Sequence, residues 1–115
     1  MHNFEKLNVY QKGLNLVDKI YELTNKLPKD EIFGLSSQLK RAGTSVVLNI
    51  AEGSGRTKKD FRNFLNMSRT SAYECSAILE ISKRRGYITP EEFKFFYDEL
   101  EILIKMINKL RSSIK

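Results

Sequence analysis

One histidine, one cysteine, two prolines and no tryptophan occur in 115 residues, and each scarcity closes a class of function. The histidine is His2, at a start expected to fray. That removes histidine acid–base catalysis, the Glu-x-x-His ligands of di-iron bundles and Cys/His zinc sites. It also removes the helical ribonucleases that use an Arg-x4-His motif. Cys75 has no second cysteine to pair with, which fits a reducing cytoplasm, and its spacing places it in the core of a helix. No apolar run approaches the roughly 20 residues of a membrane span. The opening MHNFEKLNVY lacks the apolar stretch of a signal peptide. The stretch EGSGRTKK is superficially like a phosphate loop, but has neither the G-x4-G-K-[ST] spacing nor a preceding strand. The expectation is a cytoplasmic, non-enzymatic protein with no cofactor, no metal and no membrane contact.

What is present is helical. Hydrophobic residues make up 41% and charged residues 30%, enough for one core, so residues 1–115 are expected to form a single domain. No strand-like alternation, repeat or low-complexity segment occurs. A first helix is predicted from about Lys6 to Leu27. Leu7, Tyr10, Leu14, Val17 and Tyr21 form one stripe, and Val9, Leu16, Ile20, Leu23 and Leu27 form another beside it. Two adjoining stripes imply neighbours on both sides. Pro28 closes the helix, and Ile32 and Phe33 in the next link are expected to plug the bundle's end.

The second helix, Leu35 to Glu52, is the least generic stretch. Leu35, Leu39, Ala42, Val46 and Ile50 make a narrow apolar face. Gln38, Arg41, Ser45, Asn49 and Glu52 make a wholly polar line beside it. That line is either a half-exposed edge or a set of side chains meeting a neighbouring helix or subunit, where each needs a hydrogen-bond partner. Gly43 implies a close crossing. Gly53-Ser54-Gly55 stops the helix, with glycine available for positive φ.

Thr57 caps a third helix, with Asp60 in its first turn, running to Arg85 before Gly86. Its core stripe is Phe61, Phe64, Leu65, Ser68, Ala72, Cys75, Ile78, Leu79 and Ser82. At about 1.5 Å per residue it spans on the order of 43 Å and overhangs its neighbours. The small residues Ser68, Thr70, Ser71, Ala72, Ser76 and Ala77 allow a second backbone to approach. Glu52 and Glu74 are expected to pair with Arg41 or Arg69, within or between bundles. Thr89-Pro90-Glu91-Glu92 opens the fourth helix with a capping box and proline at the first position. Phe93, Phe96, Tyr97, Leu100, Leu103, Ile104, Ile107 and Leu110 form its core face; Phe95, Ile102 and Met106 lie off it, as a wider stripe or a subunit contact.

Short links favour an all-α, antiparallel up-down-up-down four-helix bundle, and that topology sorts the charges. One pole gathers eleven of the cations: Lys6, Lys12, Arg56, Lys58, Lys59, Arg62, Arg69, Lys105, Lys109, Arg111 and Lys115. Only Glu5, Glu52 and Asp60 oppose them there. The other pole holds nine cations and eleven acids, so the net charge of +6 resides at one end. Arg56, Lys58, Lys59, Arg62, Lys105, Lys109 and Arg111 are therefore candidates for nucleic-acid contact. Solubility and helix-dipole complementarity are the alternative account of the same charges. Gln38, Arg41, Ser45, Asn49, Glu52, Arg69 and Glu74 are candidates for an oligomer contact or polar network.

RAGTSVVLNIAEGSGR resembles the signature R-A-x-S-V-x-x-N-I-A-E-G-x-G-R of the four-helix-bundle proteins named after the 23S ribosomal RNA intervening sequence. The resemblance continues through FEKLNVYQKGLNLVDKIYEL and FRNFLNMSRTSAYECSAIL. Two departures stand out: Thr70 where the family usually has glycine, and Gly43 where alanine is common. The resemblance implies a small basic bundle that forms a homo-oligomeric ring, commonly a pentamer. A related bundle is the accessory protein of diversity-generating retroelements, where it contacts a reverse transcriptase and its RNA. The expected partners are thus other copies of the chain and nucleic acid without sequence preference. A pure protein-interaction adaptor is the alternative.

Overall fold

The computed structural model describes residues 3–115, the side chain of Lys6 excepted, so the expectation about His2 lies outside the described residues. Four α-helices carry the chain: α1 (Asn8–Thr24), α2 (Leu35–Ser54), α3 (Lys58–Arg84) and α4 (Pro90–Ser113). Short 3₁₀ turns occupy Asn3–Lys6 and Lys29–Glu31, and no strand occurs among the described residues.

The helix boundaries follow local chemistry. The Thr89 hydroxyl accepts from the Glu92 backbone N–H while Glu92 accepts from that of Thr89, with Pro90 at the start of α4. Both groups are orphan donors at a helix start, and the box satisfies them reciprocally. Thr57 caps α3 by accepting from Asp60 N at 3.2 Å. Gly86, at φ 76°, lets the chain leave α3 in a left-handed turn.

Three boundary expectations need correction. α1 is shorter than Lys6–Leu27. Past Thr24, Lys26 and Leu27 donate to carbonyls three residues back, because Pro28 biases its predecessor out of the α region. Gly55 has φ −91°, so α2 does not end through positive φ. Ile32 and Phe33 do not plug the bundle: they are 53% and 96% exposed. Glu31 accepts from Leu35 N and from the Tyr87 hydroxyl, anchoring the link, and buried Leu27 and Ile88 close that end instead.

The predicted core stripes of α2 and α3 are buried along most of their length. Ile20, Leu39, Ile50, Leu65, Leu79, Leu100, Leu103 and Ile107 are fully enclosed, each contributing about 1.5–3 kcal/mol by leaving water. Ser68 and Ser82 are also fully buried, and each donates to a carbonyl, Val46 O at 2.7 Å and Ile78 O at 2.9 Å. On α1 the Val9–Leu27 stripe is buried, whereas the second stripe is half-exposed and Tyr21 is exposed. Tyr97, expected in the core of α4, is also exposed, while Met106 packs against the core.

Helix packing follows the order α1–α2–α3–α4–α1, and the α1–α4 seam is the sparsest. Across α1–α2, Gly13 faces Val47 and Gly43 faces Ile20. Across α2–α3, Arg41 meets Glu74, Val46 meets Ser68, and Gly53 meets Phe64. Across α3–α4, Arg62 meets Ile114 and Arg69 meets Asn108. Across α1–α4, Lys12 meets Glu99 and Lys26 meets Glu92. In every pair residue numbers rise along one helix as they fall along the other. The molecule measures 44 × 22 × 21 Å.

Candidate nucleic-acid interface

The corner between α2 and α3 builds one end of the molecule. Gly53 is buried, and a Cβ there would lie 2.5 Å from Phe64 Cβ and 3.0 Å from Phe61. Only glycine lets α2 finish this close to the start of α3. The chain turns through Gly55 and Arg56, and Thr57 restarts the helix. The Arg56 guanidinium pairs with Glu52 one turn back and lies 5.1 Å from the Phe64 ring centre. Its hydrogen bond to Glu52 holds it protonated even more firmly than an ordinary arginine.

Lys58 and Lys59 follow in the first turn of α3, both exposed. Lys105, Lys109 and Arg111 come from the last turns of α4, the two lysines exposed and Arg111 partly buried. Arg62 ties the two groups together by donating to Ile114 O at 3.4 Å. A cavity of about 370 Å³ between the start of α1 and the end of α4 is lined by Leu7, Val9, Met106 and Lys109, which places the start of α1 at the same end.

The cations here differ from those elsewhere in how they are paired. Of the ten whose side chains are described, only Lys12 and Arg56 form ion pairs. At the other end five of nine do: Lys26, Arg41, Lys83, Arg84 and Lys94. The positions of Lys58 and Lys59 are also informative. The helix dipole disfavours cations in a first turn and favours them in a last turn. Dipole complementarity therefore accounts for Arg111, in the last turn of α4, but works against Lys58 and Lys59.

The predicted polar network is drawn together in part, inside one chain. Arg41 donates to Glu74 at 2.6 Å, and the hydroxyls of Ser45 and Ser71 lie 2.8 Å apart. Asn49 donates to the Ser45 carbonyl at 2.8 Å and to its hydroxyl at 3.0 Å. The small residues Ser68, Ser71 and Ala72 are buried within the bundle, and the backbone they admit is that of α2, whose Val46 carbonyl accepts from Ser68. Glu52 belongs with Arg56, Arg69 donates to Asn108 on the α3–α4 seam, and Gln38 is exposed. Sequence reasoning missed Asn66 and Asn108. Their signal is the line Arg62, Asn66, Arg69 at helical spacing on α3, matched by Asn108 and Arg111 on α4.

Cys75 is fully buried, and burial pushes its thiol up to about 12, with Glu74 adding to the shift. Among the described residues no three histidine, cysteine, aspartate or glutamate side chains stand close enough to hold a metal ion. No helix among them is long and apolar enough to cross a membrane.

The sequence pattern of the 23S rRNA-intervening sequence protein family matches residues 5–109. No curated protein matches the chain. A solved structure from Bacteroides thetaiotaomicron, described as a protein with unknown function from the S23 ribosomal protein family, is 30% identical. It superposes with a TM-score of 0.83 over 90% of this chain and 97% of that one. The chain belongs to the 23S rRNA-intervening sequence protein family.

Proposed function

We propose that this family member is a non-enzymatic, homo-oligomeric protein that binds nucleic acid through one basic pole of an antiparallel up-down-up-down bundle. The opposed numbering across all four seams supports that topology. It brings the starts of α1 and α3 to the same end as the close of α2 and α4. The observation that carries the reading is Lys58 and Lys59: exposed, without a carboxylate partner, and set against the dipole of α3. Folding gains nothing from them there, whereas a phosphate would meet two ammonium groups and the α3 N-terminus together.

Single-site attraction of this kind is weak, and repeating the pole around a ring multiplies it. Leu48 and Met67 favour self-association. They are 65% and 49% exposed, and the register set by Ser45–Ser71 and Val46–Ser68 puts them level along α2 and α3. Cytoplasmic placement accords with the free thiol of Cys75.

Salt titration of binding to arbitrary RNA and DNA tests the reading, with light scattering on the same sample for subunit number. Each phosphate neutralised on a single strand steepens the log–log slope by about 0.7, so three to five contacts give a slope of roughly −2 to −4. An oligomer with that slope supports the proposal. Absence of binding at low salt removes it and favours a protein-interaction adaptor, for which the outward Phe33 at the far end is the supporting observation.

A further inference from the structure

The α3–α4 seam carries polar features that the bundle itself does not use. Arg62 reaches Ile114 O at 3.4 Å, and seven residues along α3 Arg69 reaches Asn108 Oδ1 at 3.0 Å. Asn66 and Arg111 fall between those two contacts, in the layer they share by register. Arg111 Nε and Asn66 Oδ1 are both buried, and neither has a hydrogen-bond partner among the described residues. Buried polar atoms are usually paired, so this layer is short of the contacts its chemistry calls for. Among the described residues none of the three guanidiniums has a carboxylate partner; they rest on a carbonyl, an amide or nothing.

One turn beyond Arg69 on the same face stands Tyr73, 53% exposed. Its position follows Arg69 by four residues, the spacing that makes side chains neighbours on a helix surface. Continuing the register beyond Tyr73 brings Glu101 level with Ser76 and Glu80 level with Tyr97, so the cationic strip ends there. From Lys58 to Tyr73 the strip extends about 22 Å, at roughly 1.5 Å per residue.

We propose that this seam is a track for single-stranded nucleic acid, with Arg62, Arg111 and Arg69 meeting its phosphates and Tyr73 stacking on an unpaired base. The inference rests on the reading of the pole as the nucleic-acid face, and specifies the class of ligand that face takes. A single row of guanidiniums between two helices matches one backbone. A duplex presents two backbones and keeps its base faces stacked, which leaves Tyr73 with nothing to contact. A charged groove with an aromatic platform is the recurring form of single-strand sites.

The test measures fluorescence anisotropy with a labelled oligouridine of roughly twelve nucleotides and with a duplex of equal length. Wild type, Tyr73→Ala, Tyr73→Phe, Arg69→Gln and the pole variant Lys58→Glu/Lys59→Glu are compared, each shown folded by circular dichroism. Tyr73→Ala is expected to weaken single-strand binding about tenfold and leave duplex binding unchanged; Tyr73→Phe keeps wild-type affinity, and Arg69→Gln weakens binding several-fold. If the pole variant loses affinity while Tyr73→Ala and Arg69→Gln both bind oligouridine like wild type, the track is overturned and the pole stands. Tighter binding of duplex than of single strand also overturns the track. A wild type that binds neither probe overturns both.

Discussion

Ser45 on α2 and Ser71 on α3 meet hydroxyl to hydroxyl at 2.8 Å, with Asn49 donating to Ser45 from one turn away. Part of the polar line beside the core stripe, Arg41 and Ser45, thus finds its partners on the next helix of the same chain. Asn49→Leu removes the donor and puts an apolar group against the Ser45 hydroxyl. It is expected to lower stability by about 1–3 kcal/mol, measured by urea unfolding. Because the network is internal, the loss should be the same at high and low protein concentration; a loss that grows on dilution would place Asn49 between subunits.

Two glycines separate close approach from mere absence of a side chain. A Cβ at Gly53 would meet Phe64 Cβ at 2.5 Å, an atom fixed next to the backbone. A Cβ at Gly43 would meet Ile20 Cδ1 at 2.9 Å, the far end of a side chain that can rotate. Gly53→Ala is therefore expected to cost about 1–3 kcal/mol by overpacking. Gly43→Ala regains about 1 kcal/mol of helix propensity and should be close to neutral. Equal melting temperatures for the two variants would contradict this packing account.

Much of this was legible from residue spacing. The caps at Thr57 and Thr89 and the core faces of α2 and α3 were readable because capping and the 3.6-residue period act locally. The fate of Ile32 and Phe33 was not, since it depends on Tyr87 reaching Glu31 across 56 positions of sequence. Tyr97 misled for a related reason: it lies within the width of an apolar stripe, yet α4 turns that edge outward. For the candidate interface, charge positions indicated which cations share an end. Which are paired, and that Arg62, Asn66, Arg69, Asn108 and Arg111 share a seam, required the register between α3 and α4.

The Glu92 carboxyl is held below the usual carboxylate range, first by Lys26 and then by the Thr89 backbone N–H. A lowered value means that its contribution is fully present above the ordinary glutamate value of about 4.3 and lost as pH falls through the folded value. Glu92→Gln keeps a side chain able to close the capping box but loses the charge. The variant should be less stable than wild type by about 0.5 kcal/mol near neutral pH and equal to it near pH 2. A gap independent of pH would show that the ion pair with Lys26 contributes nothing.

Cys75, with its thiol pushed up to about 12 and its side chain enclosed, should resist a maleimide at pH 8 in the folded protein. Labelling should follow the urea unfolding curve. Rapid labelling of the native protein would mean that the core face of α3 opens on the timescale of the reagent.

The central claim is that the unpaired cations act together at one end of the bundle. Reversing two lysines at each end gives variants of identical net charge: Lys58→Glu/Lys59→Glu at the basic pole, and Lys29→Glu/Lys40→Glu at the other. Affinity for oligouridine at low salt, measured side by side, distinguishes position from overall charge. The account predicts at least a tenfold loss for the basic-pole variant and little change for the other. Equal losses in the two variants would contradict it.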